Sequence, residues 1–170
     1  AVGGFKPQKD FATLFKAFAI ARRERPLRLM VLGEGKLRRG LTDLAGELGI
    51  AGDLEMPGFV DNPYQYMARS SLMVVSSIYE GLSMVLIEAL ACGCPVVSTD
   101  CPSGPAEILD HGRYGTLVPI KDENALAVAI LRNLEADCDR DLLINRAHEF
   151  SVERATRYYL ELIETVCRAT

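Results

Sequence analysis

Apolar residues along the chain follow two alternating patterns: short dense runs, and longer stretches in which they recur every three or four positions. The runs Ala1–Gly3, Arg28–Gly33, Asp53–Met56, Leu72–Ser76, Pro95–Thr99 and Gly115–Val118 are rich in Val, Leu and Met. Runs of this kind read as strands covered on both faces. Between them, Phe11, Leu14, Phe15 and Phe18 share one face of a helix that Asp10 can cap. Leu37, Leu41, Leu44 and Leu48 share another, which Gly49 can end. The pattern predicts a short helix over 63–68, a central helix from Ser83 to Cys92-Gly93, a short one over 105–110 and longer ones over 122–135 and 140–150. A last helix, capped by Ser151, carries Val152, Ala155, Tyr159, Leu162 and Val166 on a face expected to turn inward. Its outer face, near Tyr158, Leu160 and Ile163, is expected to be under-covered. Strands alternating with helices predict an α/β fold: a Rossmann-like parallel sheet of about six strands with helices on both faces, residues 1–170 forming a single domain.

Composition narrows the function classes. The 170 residues are 49% hydrophobic and 25% charged, an ordinary globular balance and enough chain for one core. A net charge of −4 provides no basic field for phosphate backbones, which argues against a nucleic-acid partner. The longest apolar run, Met84 to Ala91, is interrupted by Glu88 and falls well short of the roughly 20 residues that cross a bilayer. Cys92, Cys94, Cys101, Cys138 and Cys167 are odd in number and irregular in spacing, which suits free thiols in a reducing cytoplasm. No second Cys/His pair completes Cys92-Gly93-Cys94 as a metal site. His111 lies in a turn and His148 on a polar helical face, so no metal is expected. No signal peptide is visible, and Ala1 reads as lying within a strand.

The chemistry-bearing candidates concentrate in the run from Glu80 to Asp100. Two glutamates, Glu80 and Glu88, stand eight residues apart across a loop and the start of a helix. Glu88 lies in an otherwise apolar helix, where a carboxylate needs partners; a ribose diol suits it, because one carboxylate accepts two hydroxyl hydrogen bonds. Glu80 falls at the carboxyl end of a strand, the edge at which open α/β sheets bind ligands. Gly81, Leu82 and Ser83 lead into the helix, whose N–H groups can hold an anion. Behind them, Gly93-Cys94-Pro95-Val96-Val97 reads as a tight turn into a buried strand.

This run resembles the signature of retaining GT-B glycosyltransferases of family 4, and the resemblance extends over essentially the whole chain. It implies the C-terminal, nucleotide-sugar-binding half of a two-domain enzyme, the acceptor-binding half lying outside this chain. It further implies that Glu80 faces the donor sugar, that Glu88 grips the ribose and that Lys9 holds the diphosphate, making Glu80 and Lys9 the catalytic pair. Gly3 and Gly4 belong to the matching first loop, Gly33 and Gly35 to a glycine turn beside the diphosphate, and Val60, in Gly58-Phe59-Val60, to the loop against which the base packs. One position departs from the pattern: Gly4 stands where the family carries an arginine, with Lys6 close by in sequence. The resemblance implies a hexosyl donor, taken to be a UDP-sugar, a glycan or lipid-linked acceptor reached through the other half, and no metal or other cofactor. Peripheral membrane association of the full enzyme and self-association of the fragment are further expectations.

Two other readings stay open. Gly4 suits a decayed binding or regulatory module of the same fold. Gly33-Glu34-Gly35, with Asp53 twenty residues on, suits a dinucleotide or sugar-nucleotide epimerase or dehydrogenase; against it, Arg38 occupies the third glycine position of GxGxxG. Asp100-Cys101-Pro102-Ser103-Gly104 reads either as a lining of the sugar pocket or as a turn in which Ser103 caps the next helix.

Overall fold

The computed structural model describes residues 1–168. Five strands form a two-stranded and a three-stranded parallel sheet: β1 (Leu29–Leu32) and β2 (Leu54–Gly58) the first, β3 (Met73–Val75), β4 (Val96–Thr99) and β5 (Thr116–Val118) the second. β1 pairs with β2, and β3, β4 and β5 pair in that order, Val74 opposite Val97 and Ser98 opposite Leu117. The expected count of six is corrected to five. The Ala1–Gly3 segment makes a single parallel bridge, Val2 to Leu32, because only these residues run extended before the backbone N–H of Lys6 turns back onto the Gly4 carbonyl.

Eight helices flank these strands among the described residues: α1 (Phe11–Glu24), α2 (Arg38–Glu47), α3 (Tyr64–Met67), α4 (Met84–Ala91), α5 (Pro105–Ile108), α6 (Glu123–Glu135), α7 (Arg140–His148) and α8 (Val152–Arg168). Asp10, Asp122 and Asp139 cap α1, α6 and α7 by accepting from the backbone N–H three residues on. The N-cap of α5 is Gly104 with no side-chain cap, so Ser103 does not take that role.

The sheet separates two cores. On one face Leu14, Phe15 and Leu126, Ile130 of α1 and α6 pack over Val31, Val74 and Val97. On the other, Leu86 and Leu90 of α4 pack with Leu143 and Ala147 of α7 over Met73, Val75 and Val96. Alternate residues of β3 and of the first half of β4 thus enter opposite cores, which is why Met73–Val75 and Val96-Val97 are apolar. Arg140 locks the second core from below, donating to the Gly93 and Ala68 carbonyls.

The last helix departs from expectation. Ser151 does accept from Arg154 N–H at its start, but α8 buries no residue. Val152 is 78% exposed, and Ala155, Tyr159, Leu162 and Val166 are exposed as well, as are Tyr158, Leu160 and Ile163. The apolar stripe is real, but it packs on neither core, and α1, α6, α4 and α7 cover the two faces.

Candidate functional site

Within each sheet the strands run the same way, and hydrogen bonds between the loops after Val2 and after β3 bring the segments after Val2, β1, β2, β3 and β4 to one edge. The first of these loops is fixed to the fourth: Ser76 Oγ donates to the Lys9 carbonyl at 2.8 Å, and Ile78 N–H donates to Gln8 O at 2.8 Å. This brings two residues 71 positions apart together. Lys9 Nζ donates to Glu80 Oε1 at 2.7 Å, with the side chains only 20% and 11% exposed. Ser77 Oγ donates to the same oxygen at 2.5 Å, and the Ser77 carbonyl in turn accepts from Thr99 Oγ1. Glu80 Oε1 is therefore held twice. Burial, with the Glu80 carboxylate close by, pushes the Cys101 thiol up from its ordinary range.

Glu80, Gly81, Leu82 and Ser83 form the β3–α4 connection. Ser83 is 2% exposed, and its hydroxyl has no hydrogen-bond partner, an orphan polar atom directly before the first turn of α4. Buried hydroxyls are normally satisfied, so this one is a place to look for a ligand. Gly81 meets Gly104 of the β4–α5 loop backbone to backbone: Gly104 has φ 85°, and a Cβ there would lie 2.5 Å from the Gly81 carbonyl oxygen. Leu82 is exposed. Glu88, one turn into α4, is half-buried, and its carboxylate makes no hydrogen bond or ion pair among the described residues.

A second recess opens beside this cluster, a groove of about 270 Å³ lined by Gly3, Gly4, Gly33 and Glu34 on one side and Phe59, Val60 and Pro63 on the other. Gly33 permits close approach of two turns: with φ 146°, a Cβ there would overlap the carbonyl oxygen of Gly3. Gly35 lies behind the groove, packed on the Phe5 main chain. Lys9, Glu80, Ser83 and Glu88 do not line this recess, but the Lys9 stem rests against Gly3, which does.

Sequence reasoning missed three features here. Ser76, Ser77 and Thr99 form a buried polar layer beneath the Lys9–Glu80 pair; two consecutive serines ending a valine run were the available signal. Arg38, weighed only as a missing glycine, clamps Glu34 with two hydrogen bonds of 2.9 and 2.5 Å, donates to the Met56 carbonyl and lies 5.4 Å from the centre of the Phe5 ring. Its hydrogen bonds hold the Glu34 carboxyl below the usual carboxylate range. An acid four residues before an arginine was the signal. Third, the Gly81–Gly104 contact makes the β4–α5 loop a wall of the α4 entrance. His111 and His148 are exposed. Among the described residues, no group of three His, Cys, Asp or Glu side chains gathers into a cation site, and no helix is long and apolar enough to cross a membrane.

The sequence profile described as Glycosyl transferases group 1 matches residues 1–136. The chain is 39% identical over 147 residues to the N-acetylgalactosamine-N,N'-diacetylbacillosaminyl-diphospho-undecaprenol 4-alpha-N-acetylgalactosaminyltransferase of Campylobacter jejuni, covering 86% of this chain and 40% of that protein. It is 35% identical over 168 residues to the lipopolysaccharide core biosynthesis glycosyltransferase LpsE of Rhizobium meliloti, covering 96% and 48%. The chain thus spans less than half the length of these relatives. Among solved structures, Staphylococcus aureus TarM in complex with Fondaparinux, alpha-GlcNAc-glycerol and UDP superposes with a TM-score of 0.87 at 20% identity over 95% of this chain and 34% of that one, a likeness of fold.

Proposed function

Because the chain belongs to the glycosyl transferases of group 1, we propose that it is the donor-binding half of a two-domain, retaining, metal-independent GT-B enzyme of family 4. In this reading a nucleoside diphosphate sugar lies along the carboxyl edge of the sheet. The base occupies the groove at Phe59 and Val60, Glu88 accepts from the ribose hydroxyls, and the diphosphate lies between Lys9 and the α4 N-terminus at Ser83. Glu80 faces the sugar. The observation that carries the reading is the Lys9–Glu80 pair, two chemistry-bearing residues 71 positions apart held in contact by a buried serine layer. Lys9 Nζ has three donors and gives one to Glu80, leaving two for phosphate oxygens.

The chemistry follows from charge. The bond from the anomeric carbon to the diphosphate breaks, and the leaving group takes the electron pair. An acceptor hydroxyl bonds the same face of the oxocarbenium-like centre while its proton passes to the departing phosphate oxygen. Lys9 and the α4 N–H groups stabilise the charge that develops on that oxygen. The α-N-acetylgalactosaminyltransferase named above acts on a diphospho-undecaprenol substrate, which supports a lipid-linked or glycan acceptor here, bound by the other half. A cytoplasmic enzyme working at the membrane surface through that half fits the same acceptor. UDP in the TarM complex supports uridine as the base.

Calorimetric titration with UDP, GDP and ADP tests the site; no heat at millimolar ligand from folded protein overturns it. Transfer assays on this chain and on the full-length protein test the two-domain argument, because closure between the halves aligns reactants and excludes water. Transfer by this chain alone refutes it. Gly4 favours a second reading, a module that binds nucleotide sugars without turning them over; tight UDP binding with no transfer by the full-length protein is its signature.

A further inference from the structure

Resting on the donor-site reading above, we propose that Lys6 is a second cation for the donor diphosphate. The need for one follows from the charges on this edge. Lys9 is paired with Glu80, so the pair brings no net charge to an incoming diphosphate. Arg38 is likewise committed to Glu34. Lys6, in the same loop as Lys9, makes no side-chain hydrogen bond or ion pair among the described residues.

Its exposed side chain borders a neighbouring recess with Asp10, Phe11 and Leu37, and its stem lies over Gly4, which lines the groove. The Lys6 N–H donates to the Gly4 carbonyl at 2.8 Å, and this tight turn folds the Lys6 stem back across Gly4. A Cβ built on Gly4 would meet Lys6 Cε at 3.5 Å and Cγ at 3.8 Å. The neighbouring glycine repeats the arrangement: a Cβ on Gly3 would meet Lys9 Cε at 3.3 Å. Two lysine stems therefore lie against two adjacent glycines, and both glycines line the groove beside the Lys9–Glu80 pair. Lys6 covers the space into which a side chain at position 4 would grow. A compact ammonium on a flexible stem suits a diphosphate, whose oxygens accept a point charge without needing a planar fork.

The test is a calorimetric titration of the purified protein with UDP and with uridine, which lacks the phosphates. The variants are Lys6→Ala, Lys6→Arg, Lys9→Ala, the double variant Lys6→Ala with Gly4→Arg, and Lys36→Ala as a control cation from the turn after Gly35. Loss of one charge-assisted contact is expected to weaken UDP binding by Lys6→Ala about tenfold or more, with uridine binding changed by less than about twofold. Lys6→Arg and Lys36→Ala should keep UDP affinity, and adding Gly4→Arg to Lys6→Ala should restore it. If Lys9→Ala weakens UDP binding and Lys6→Ala does not, the inference fails and the donor site stands. Equal losses for UDP and uridine also overturn it, since Lys6 would then be shaping the loop. So does an equal loss in Lys36→Ala, which would indicate a diffuse field. A wild-type protein that binds none of UDP, GDP and ADP overturns the donor site and this inference together.

Discussion

Replacing Glu80 with glutamine separates the sugar-facing role of this residue from the nucleotide-binding role of its neighbours. The amide oxygen can still accept from Ser77 Oγ, which donates at 2.5 Å in the native protein, and the side chain keeps its size. What is lost is one negative charge 2.7 Å from Lys9 Nζ. With the two side chains 20% and 11% exposed, the pair lies between surface pairs, worth about 0–1 kcal/mol, and fully buried ones, which cost about 3–5 kcal/mol to break, so about 1–2 kcal/mol of stability should be lost. Binding should move the other way for a bare diphosphate. Lys9 is released to the phosphates and the carboxylate no longer repels them, so UDP affinity should hold or rise by up to about tenfold, the equivalent of one charge-assisted contact. The extra affinity of UDP-N-acetylgalactosamine over UDP should shrink. Urea unfolding measures the first effect and calorimetry with the two ligands measures the second. UDP binding that falls in Glu80→Gln while uridine binding is unchanged would refute the reasoning, because Glu80 would then be supporting the diphosphate rather than competing for Lys9.

Three further outcomes follow from the geometry. Glu88→Gln should weaken uridine and UDP alike, by about tenfold for a lost charge-assisted contact, with little change in stability because the carboxylate has no protein partner; calorimetry with both ligands checks it. Gly33→Ala should cost more than about 3 kcal/mol, since its Cβ would overlap the Gly3 carbonyl at a φ that side chains avoid; a urea midpoint close to wild type would contradict the packing described. Cys94 is buried and its thiol is pushed up to about 11 by desolvation, so the neutral form is favoured in the fold. Its contribution to stability is complete below the ordinary thiol pKa and is lost as pH rises towards about 11; a thiol reagent at pH 8 should modify exposed Cys138 well before Cys94.

Most of the elements were legible because their causes are local. Asp10 and Asp122 cap helices with their own side chains, and β3 is apolar because two cores press on it. The Lys9 and Glu80 loops could be identified by motif, but their contact could not, since it depends on Ser76 and Ile78 tying together segments far apart in sequence. Ala1–Gly3 reads as a strand because a short extended run looks the same in sequence whether it forms a ladder or one bridge. The apolar face of α8 stays exposed for a different reason. An amphipathic pattern reports that a helix has an apolar side, and it does not report whether this unit has room to bury it. Arg38 was read as an absent glycine when its chemistry lay in the side chain that was present.

The meeting of Gly3 with Gly33 has a mechanical side. Where two loops touch through side chains, rotamer changes absorb small displacements and the loops move separately. Here peptide groups bear directly on each other, with nothing compressible between them. The Lys9 loop and the turn after β1 are geared together, as the loops after β3 and β4 are at Gly81 and Gly104. A shift of the Lys9 loop at Gly3 therefore bears on Gly33, in the wall of the groove that Phe59 and Val60 also line. The two ends of the edge thus share one rigid backbone seam, so their shapes are set together.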